Sequence, residues 1–250
     1  MKCRRRFHVY SVLVTLAFLS ACGGGNKSAD QTRAAVPAIA QLNGTYAFSA
    51  DGSDPADGSY FAAGSITADG KGGITGIEDL NLGSGVDSGV AITGSYQVDS
   101  SGKATVTLSD GTGVASFLTF SIPSGSSASK INFNGTGTGT LQAQSTSGFS
   151  NVGAFSFTLK GEGEGTVTGS GAFTTNAAGT FTSGNENFQD GAYMRSTSAL
   201  SGTLSPIFDG GRGMAVIGSN AFSYYVVSQN QIILAGLEDG TLVYGAATKQ

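Results

Sequence analysis

The chain has 250 residues, 39% of them hydrophobic and only 12% charged, with a formal net charge of -4. Its one histidine is His8, its two cysteines are Cys3 and Cys22, and it has no tryptophan. That length suits one large or two small domains, and the acidic balance excludes the basic stripe of a nucleic-acid binder.

Lys2, Arg4, Arg5 and Arg6 form a positive start, Val9 to Phe18 a short apolar core, and small residues follow. This order predicts an export signal over residues 1–21, with an apolar run too short to span a bilayer comfortably. The segment closes on Leu19-Ser20-Ala21-Cys22, which resembles the lipobox of bacterial lipoproteins. The resemblance implies that the signal is removed and that Cys22 becomes the acylated first residue of the mature chain. It further implies a protein held by its lipid in the cell envelope, with the membrane as its partner. Several acyl chains on one residue anchor stably. Gly23 stands where such lipoproteins carry Asp when they are retained at the inner membrane, so the resemblance implies the outer membrane. Residues 22–41 are small and polar and read as a flexible lipidated tether.

Loss of residues 1–21 removes four of the thirteen basic residues, leaving nine against seventeen acids. His8 and Cys3 go with them. Without histidine or a free thiol, Ser-His-Asp and Cys-His catalysis in their usual forms are excluded. Zinc held by nitrogen and sulfur ligands is excluded as well, and so is a disulfide within the mature chain. No cofactor and no enzymatic activity are expected.

Glycine supplies 40 residues, about double its usual ~7% share. It alternates with Phe, Tyr, Ile, Val and Leu while proline is scarce, a pattern of a glycine-rich β protein rather than a coil. The chain also repeats itself. Gly44-Thr45-Tyr46-Ala47-Phe48 matches Gly153-Ala154-Phe155-Ser156-Phe157, the stretch 64–75 matches 171–182, and Gly139-Thr140-Leu141 matches Gly240-Thr241-Leu242. A repeat of this length predicts two domains or two halves of a larger barrel. The boundaries read as 42–144 for the first, 145–152 for a linker and 153–250 for the second.

Within each copy the apolar period is two, as in half-buried strands. Tyr46 and Phe48 share a face, as do Leu118, Phe120 and Ile122, then Phe155, Phe157 and Leu159. Turn signals such as Ala68-Asp69-Gly70, Ser101-Gly102 and Asp239-Gly240 separate the runs. The prediction is all-β: two tandem antiparallel meander barrels of about eight short strands each, with β-sandwiches as the alternative. Strands this short do not suit a membrane-spanning barrel. Gly44-Thr45-Tyr46 and Gly153-Ala154-Phe155 resemble the Gly-x-Trp start of lipocalin-like barrels, with Tyr and Phe in place of Trp. The stretch from Leu42 to Leu108 resembles an uncharacterised tandem β repeat of secreted and lipid-anchored bacterial proteins. That family implies fold and location, and no activity.

Three groups of residues are candidates for chemistry. Asp51, Asp54 and Asp57 fall within seven residues, and a tight acidic turn can supply the oxygen ligands that Ca²⁺ needs; the plain alternative is a solvated hairpin loop. Glu78 in Ile77-Glu78-Asp79-Leu80 and Glu186 in Asn185-Glu186-Asn187-Phe188 recur between the copies. A carboxylate inside a barrel could bind a cation or hydroxyl or act as an acid or base, or merely accept backbone hydrogen bonds. The aromatic set Tyr46, Phe48, Tyr96, Phe120, Phe155, Phe157, Phe222 and Tyr224 could line a ligand cavity or fill a core. The expected function is a lipid-anchored envelope protein of structural or surface-binding type. A small-ligand carrier and a carboxylate-dependent hydrolase are the alternatives.

Overall fold

The computed structural model describes residues 38–55, 58–111, 115–123 and 128–250. The export signal, Cys22, most of the tether and Asp57 lie outside the described residues. No described helix is long and apolar enough to cross a membrane.

The protein is all-β, and its two copies form two tandem barrels. The first consists of β1 (Asn43–Asp54), β2 (Gly58–Asp69), β3 (Gly73–Asn81), β4 (Val86–Val98), β5 (Lys103–Ser109), β6 (Ala115–Ser121), β7 (Ser129–Phe133) and β8 (Gly137–Ala143). Each strand pairs antiparallel with the next, and β1 returns to β8 from Tyr46↔Ala143 to Asp51↔Thr138, which closes the barrel. Closure leaves no edge strand exposed.

The second copy contains β9 (Gly153–Glu162), β10 (Thr166–Thr175), β11 (Phe181–Asp190), β12 (Tyr193–Thr197), β13 (Gly202–Leu204), β14 (Arg212–Ile217), β15 (Asn220–Ser228), β16 (Gln231–Gly236) and β17 (Leu242–Lys249). Here too the first strand pairs with both the second and the last, β9 with β10 and β17. The sheet curls but its ladder is interrupted between β12 and β13. A bridge between Thr180 and Thr203, with Leu204 N–H donating to Gly179 O at 2.7 Å and Leu200 N–H to Gly184 O at 3.0 Å, spans part of this seam.

Alternation fills both interiors. Tyr46, Phe48, Tyr96 and Phe120 pack with Ile66, Val106, Leu118, Phe133 and Leu141 inside the first barrel. Phe155, Phe157, Phe222 and Tyr224 pack with Phe173, Leu204, Val226 and Leu234 inside the second. All eight candidate aromatics are therefore core residues. Their hydroxyls are satisfied locally: Tyr96 donates to Leu42 O at 2.7 Å, and Tyr224 to Ser205 O at 2.5 Å.

The barrels meet through an apolar face supplied by the outward positions of neighbouring strands. Ala47, Phe61 and Ala63 from β1 and β2 pack on Tyr225, Val227, Ile233, Ala235, Leu242 and Tyr244. Phe61 and Tyr244 stack with ring centroids 4.1 Å apart. Around that patch Asn81 donates to Gly236 O and Thr241 O, and Gln144 donates to Val226 O at 2.6 Å.

One local expectation changes. Asp51 to Asp54 belong to β1 rather than to a loop, because the ladder with β2 continues to Asp54↔Gly58. β1, β2 and β4 reach 12, 12 and 13 residues, longer than the turn signals predict.

Candidate functional site

The two copies share one interior arrangement. In the first barrel Phe48, Gly64 and Glu78 lie directly across adjacent strands; in the second Phe157, Gly171 and Glu186 do the same. The glycines are required by the rings. A Cβ on Gly64 would lie 2.5 Å from the Phe48 ring and 2.6 Å from Ile77 O, and one on Gly171 would lie 2.8 Å from the Phe157 ring. Each phenylalanine thus lies over a bare backbone, with a buried carboxylate one strand further on.

The surroundings of the two carboxylates differ. Glu78 lines a pocket with Asp87, Asp110, Ser109 and Ser116, over Leu80, Val90, Ile92 and Leu108. Its volume is about 20 Å³, room for roughly one water. The strand order places this mouth at the barrel end that carries the β1–β2, β3–β4 and β5–β6 turns. Lys71, Lys103 and Lys130, the lysines of this barrel, lie toward the opposite end. Glu186 instead meets a cation: Arg195 Nε donates to its Oε2 at 2.8 Å, and Arg195 Nη1 donates to Ser219 Oγ at 3.0 Å. Glu186 Oε1 is buried without a hydrogen-bond partner.

Asp51 and Asp54 do not converge. Asp51 and Asp54 are three residues apart on a strand, so they face opposite sides, and Asp57 is outside the described residues. Asp51 turns towards the second barrel, where Lys160 Nζ approaches it at 3.3 Å. No group of three His, Cys, Asp or Glu among the described residues could hold a metal ion.

The most connected polar group lies on the other face of the strand that carries Glu78. Asp79, next to Glu78 and so on the outer side of β3, is 2% exposed and faces the second barrel. Arg212 donates to both of its oxygens, Nε to Oδ2 and Nη2 to Oδ1, each at 2.7 Å. Ser88 Oγ and Gly89 N–H donate to Oδ1 at 2.8 Å, and the Tyr225 hydroxyl donates to Oδ2. Burial alone would raise the Asp79 pKa, but the hydrogen bonds from Arg212, Tyr225 and Ser88 and the Arg212 charge hold it below the ordinary carboxylate value. The same burial, with Asp79 beside it, pushes the Tyr225 hydroxyl far above the usual tyrosine range. Every acceptor is filled, so this group clamps the barrels together and leaves nothing for a ligand.

The larger concave surfaces lie outside the barrels. The backbone row Gly245–Leu159–Gly169–Phe188–Arg195 runs perpendicular to five strands, from β17 through β9, β10 and β11 to β12. One flanking row is Ala246, Thr158, Ser170, Asn187 and Ser196; the other is Tyr244, Lys160, Thr168, Gln189 and Met194. Side chains adjacent along a strand point to opposite faces, so both rows stand outward above the floor and form a trench. Its outer part has a volume of about 610 Å³. The part against the first barrel, walled by Ser49, Asp51, Phe61 and Thr140, has about 390 Å³, and the two parts share Thr158 and Leu159. Four spacings of ~4.8 Å between five strands make it ~19 Å long. Its ionic groups are paired, Lys160 with Asp51 and Arg195 with Glu186.

No family model matches the chain, and no curated relative does. Among solved structures, a provisionally named AttH from Nitrosomonas europaea aligns over 83% of this chain and 92% of its own, at 9% identity and a TM-score of 0.30. Kievitone hydratase from Nectria haematococca aligns over 90% and 96%, at 10% identity and a TM-score of 0.25. The expectation of a chain without enzymatic activity is corrected by this finding, since a neighbouring structure is that of a hydratase. Neither likeness is close enough to assign a reaction here.

Proposed function

We propose that this chain is a lipid-anchored cell-envelope protein that binds a polar, largely uncharged polymer of the glycan class in the trench across its second barrel. The observation that carries this reading is the trench itself: two outward rows made mainly of hydroxyl and amide side chains over a backbone floor, with Lys160 and Arg195 already paired. Interiors packed with their own aromatic side chains support binding outside the barrels rather than carriage within them. The lipobox-like Leu19-Ser20-Ala21-Cys22 supports the anchor, with Cys22 as the lipidated residue.

Two experiments test the reading. Cys22→Ala should move the protein from the membrane to the soluble fraction; continued membrane fractionation would refute the anchor. Immobilised neutral polysaccharides should retain the protein, and the pair Asn187→Ala and Gln189→Ala should weaken retention about tenfold, roughly one to two hydrogen bonds. Equal retention of parent and variant would refute the trench.

A second reading rests on the mouth of the first barrel, where Glu78, Asp87 and Asp110 line one pocket. Carboxylates gathered around a water-sized space suit acid–base chemistry on a hydroxyl-bearing substrate. Under this reading Glu78→Gln abolishes hydrolysis of such a substrate while leaving retention on polysaccharide unchanged.

A further inference from the structure

The charges of the two barrels are sorted by end. Asp51–Lys160, Asp79–Arg212 and Glu186–Arg195 are balanced pairs. Outside those pairs, Asp54, Asp87 and Asp110 lie at the end of the first barrel that carries the Glu78 pocket, at its β1–β2, β3–β4 and β5–β6 connections. Glu162, Glu164, Asp190, Glu238 and Asp239 lie at the β9–β10, β11–β12 and β16–β17 connections of the second. The interface sets these two ends on the same side. Gly240 N–H, between β16 and β17, donates to Gly83 O, between β3 and β4, at 2.7 Å. At the far end Ser145 N–H, just past β8, donates to Val227 O near the close of β15 at 2.9 Å. One end of the molecule therefore carries eight carboxylates besides Glu78, and among the described residues no cation outside the pairs. The other end carries Lys71, Lys103, Lys130 and Lys249 with Asp69, Asp99 and Asp209. The chain also enters there. The helical turn Ala38–Gln41 leads into Leu42, which is buried in the first core, and the Tyr96 hydroxyl donates to Ile39 O at 3.1 Å and Leu42 O at 2.7 Å.

We propose that the lysine-bearing end rests against the anionic lipid headgroups of the membrane that holds the anchor, with the acidic end and the Glu78 pocket turned to the aqueous side. This arrangement presupposes the lipid anchor at Cys22. Fifteen residues separate Cys22 from Ala38, and at about 3.5 Å per residue they reach far enough to allow either end down. Charge is what selects between the two. An anionic surface attracts lysine and repels carboxylate, within a Debye length of about 8 Å. With this end down, the exposed Lys71, Lys103 and Lys130 enter that layer. The reverse would bring in eight carboxylates. Asp69 and Asp99 offset part of the attraction, but both are turned back on their own turns: Lys71 and Gly73 N–H donate to Asp69 Oδ1, and Ser101 and Lys103 N–H to Asp99 Oδ1. The preference therefore comes mainly from the acids kept out. β4, which runs from the acidic end to the lysine end, has 13 residues. That is about 43 Å of strand, or ~30 Å along the barrel at a tilt of ~40°, several Debye lengths.

The test places a fluorophore at either end of the lipidated full chain, reconstituted on vesicles of phosphatidylcholine and phosphatidylglycerol. Ser100, between β4 and β5, and Ser84, between β3 and β4, are exposed and uncharged, so Ser100→Cys and Ser84→Cys can be labelled without changing the charge. A lipid with a nitroxide on its headgroup serves as the quencher. The Ser100 label should lose most of its emission and the Ser84 label almost none, given ~30 Å between the ends. The difference should shrink at least about twofold on vesicles of phosphatidylcholine alone, where the surface potential is absent. The combined Lys71→Glu, Lys103→Glu and Lys130→Glu chain should shrink it likewise while still floating with the vesicles. Equal quenching at both sites, stronger quenching at Ser84, or a difference that stays the same on uncharged vesicles would each overturn the proposal in a chain that floats with the vesicles. A parent chain that does not float would refute the anchor, and the orientation with it.

Discussion

Asp79 and Arg212 show how much one residue's direction decides. Adjacent strand positions face opposite ways, so Glu78 enters the first barrel while Asp79 leaves it for the second. Removing one partner of a buried ion pair leaves the other charge uncompensated and typically costs about 3–5 kcal/mol, whereas replacing both by apolar groups is often neutral. Arg212→Ala should therefore lower the unfolding temperature strongly, and Asp79→Leu combined with Arg212→Met should restore much of the loss. Calorimetry on the three chains checks this. The pH dependence has a definite sign. The Asp79 carboxyl titrates lower in the folded protein than its unfolded value, which is about 3.9. Its contribution is full above that value and is lost as pH falls through the lower folded one. Asp69 and Asp99, held low by hydrogen bonds in their turns, act in the same window. Only the difference between the parent and Asp79→Asn isolates the clamp: the variant should lose less stability between pH 5 and pH 2 (from about one unit above to about two units below the ordinary carboxylate value).

At the scale of the element, the Phe-Gly-Glu rows explain why glycine is so frequent inside these strands. Gly64 makes room for the Phe48 ring against β2, and a methyl group there meets both the ring and Ile77 O. Gly64→Ala should cost about 1–3 kcal/mol by overpacking. Gly85, where a Cβ meets nothing within 4 Å, is the control, with a change within about 0.5 kcal/mol for Gly85→Ala. A shift of the urea midpoint in the first variant alone, at constant slope, is the expected result. The recurrence of Glu78 and Glu186 was legible because repeat matching needs only order and spacing. Arg195 was not legible as the partner of Glu186. Nine residues separate them, and only the β11–β12 register, Glu186↔Thr197 and Phe188↔Arg195, brings them together. Asp51 and Asp54 do not meet for the same reason, since strand alternation sends them to opposite faces.

At the scale of the molecule, the interface makes the two barrels one unit. Phe61, Tyr225, Ile233 and Tyr244 are buried between them, and the Asp79–Arg212 pair lies beside that patch. Separating the barrels would expose this face, so heating should give a single calorimetric transition rather than two. Phe61→Ala should lower it by about 3–5 kcal/mol. Two transitions, with only the first affected by the variant, would show that the barrels unfold independently.

The sequence by itself determined the all-β class, the repeat and the residues that fill each barrel, because a period of two dictates which side chains share a face. It also carried the lipobox resemblance at Cys22, which is contiguous in the chain. Only the tertiary structure decided where the polar groups go. Strand register brings Arg212 to Asp79 across 133 positions and joins five strands into a trench. Such long-range pairings are set by closure and by the packing of one barrel on the other, and neither is written in the local pattern of any strand.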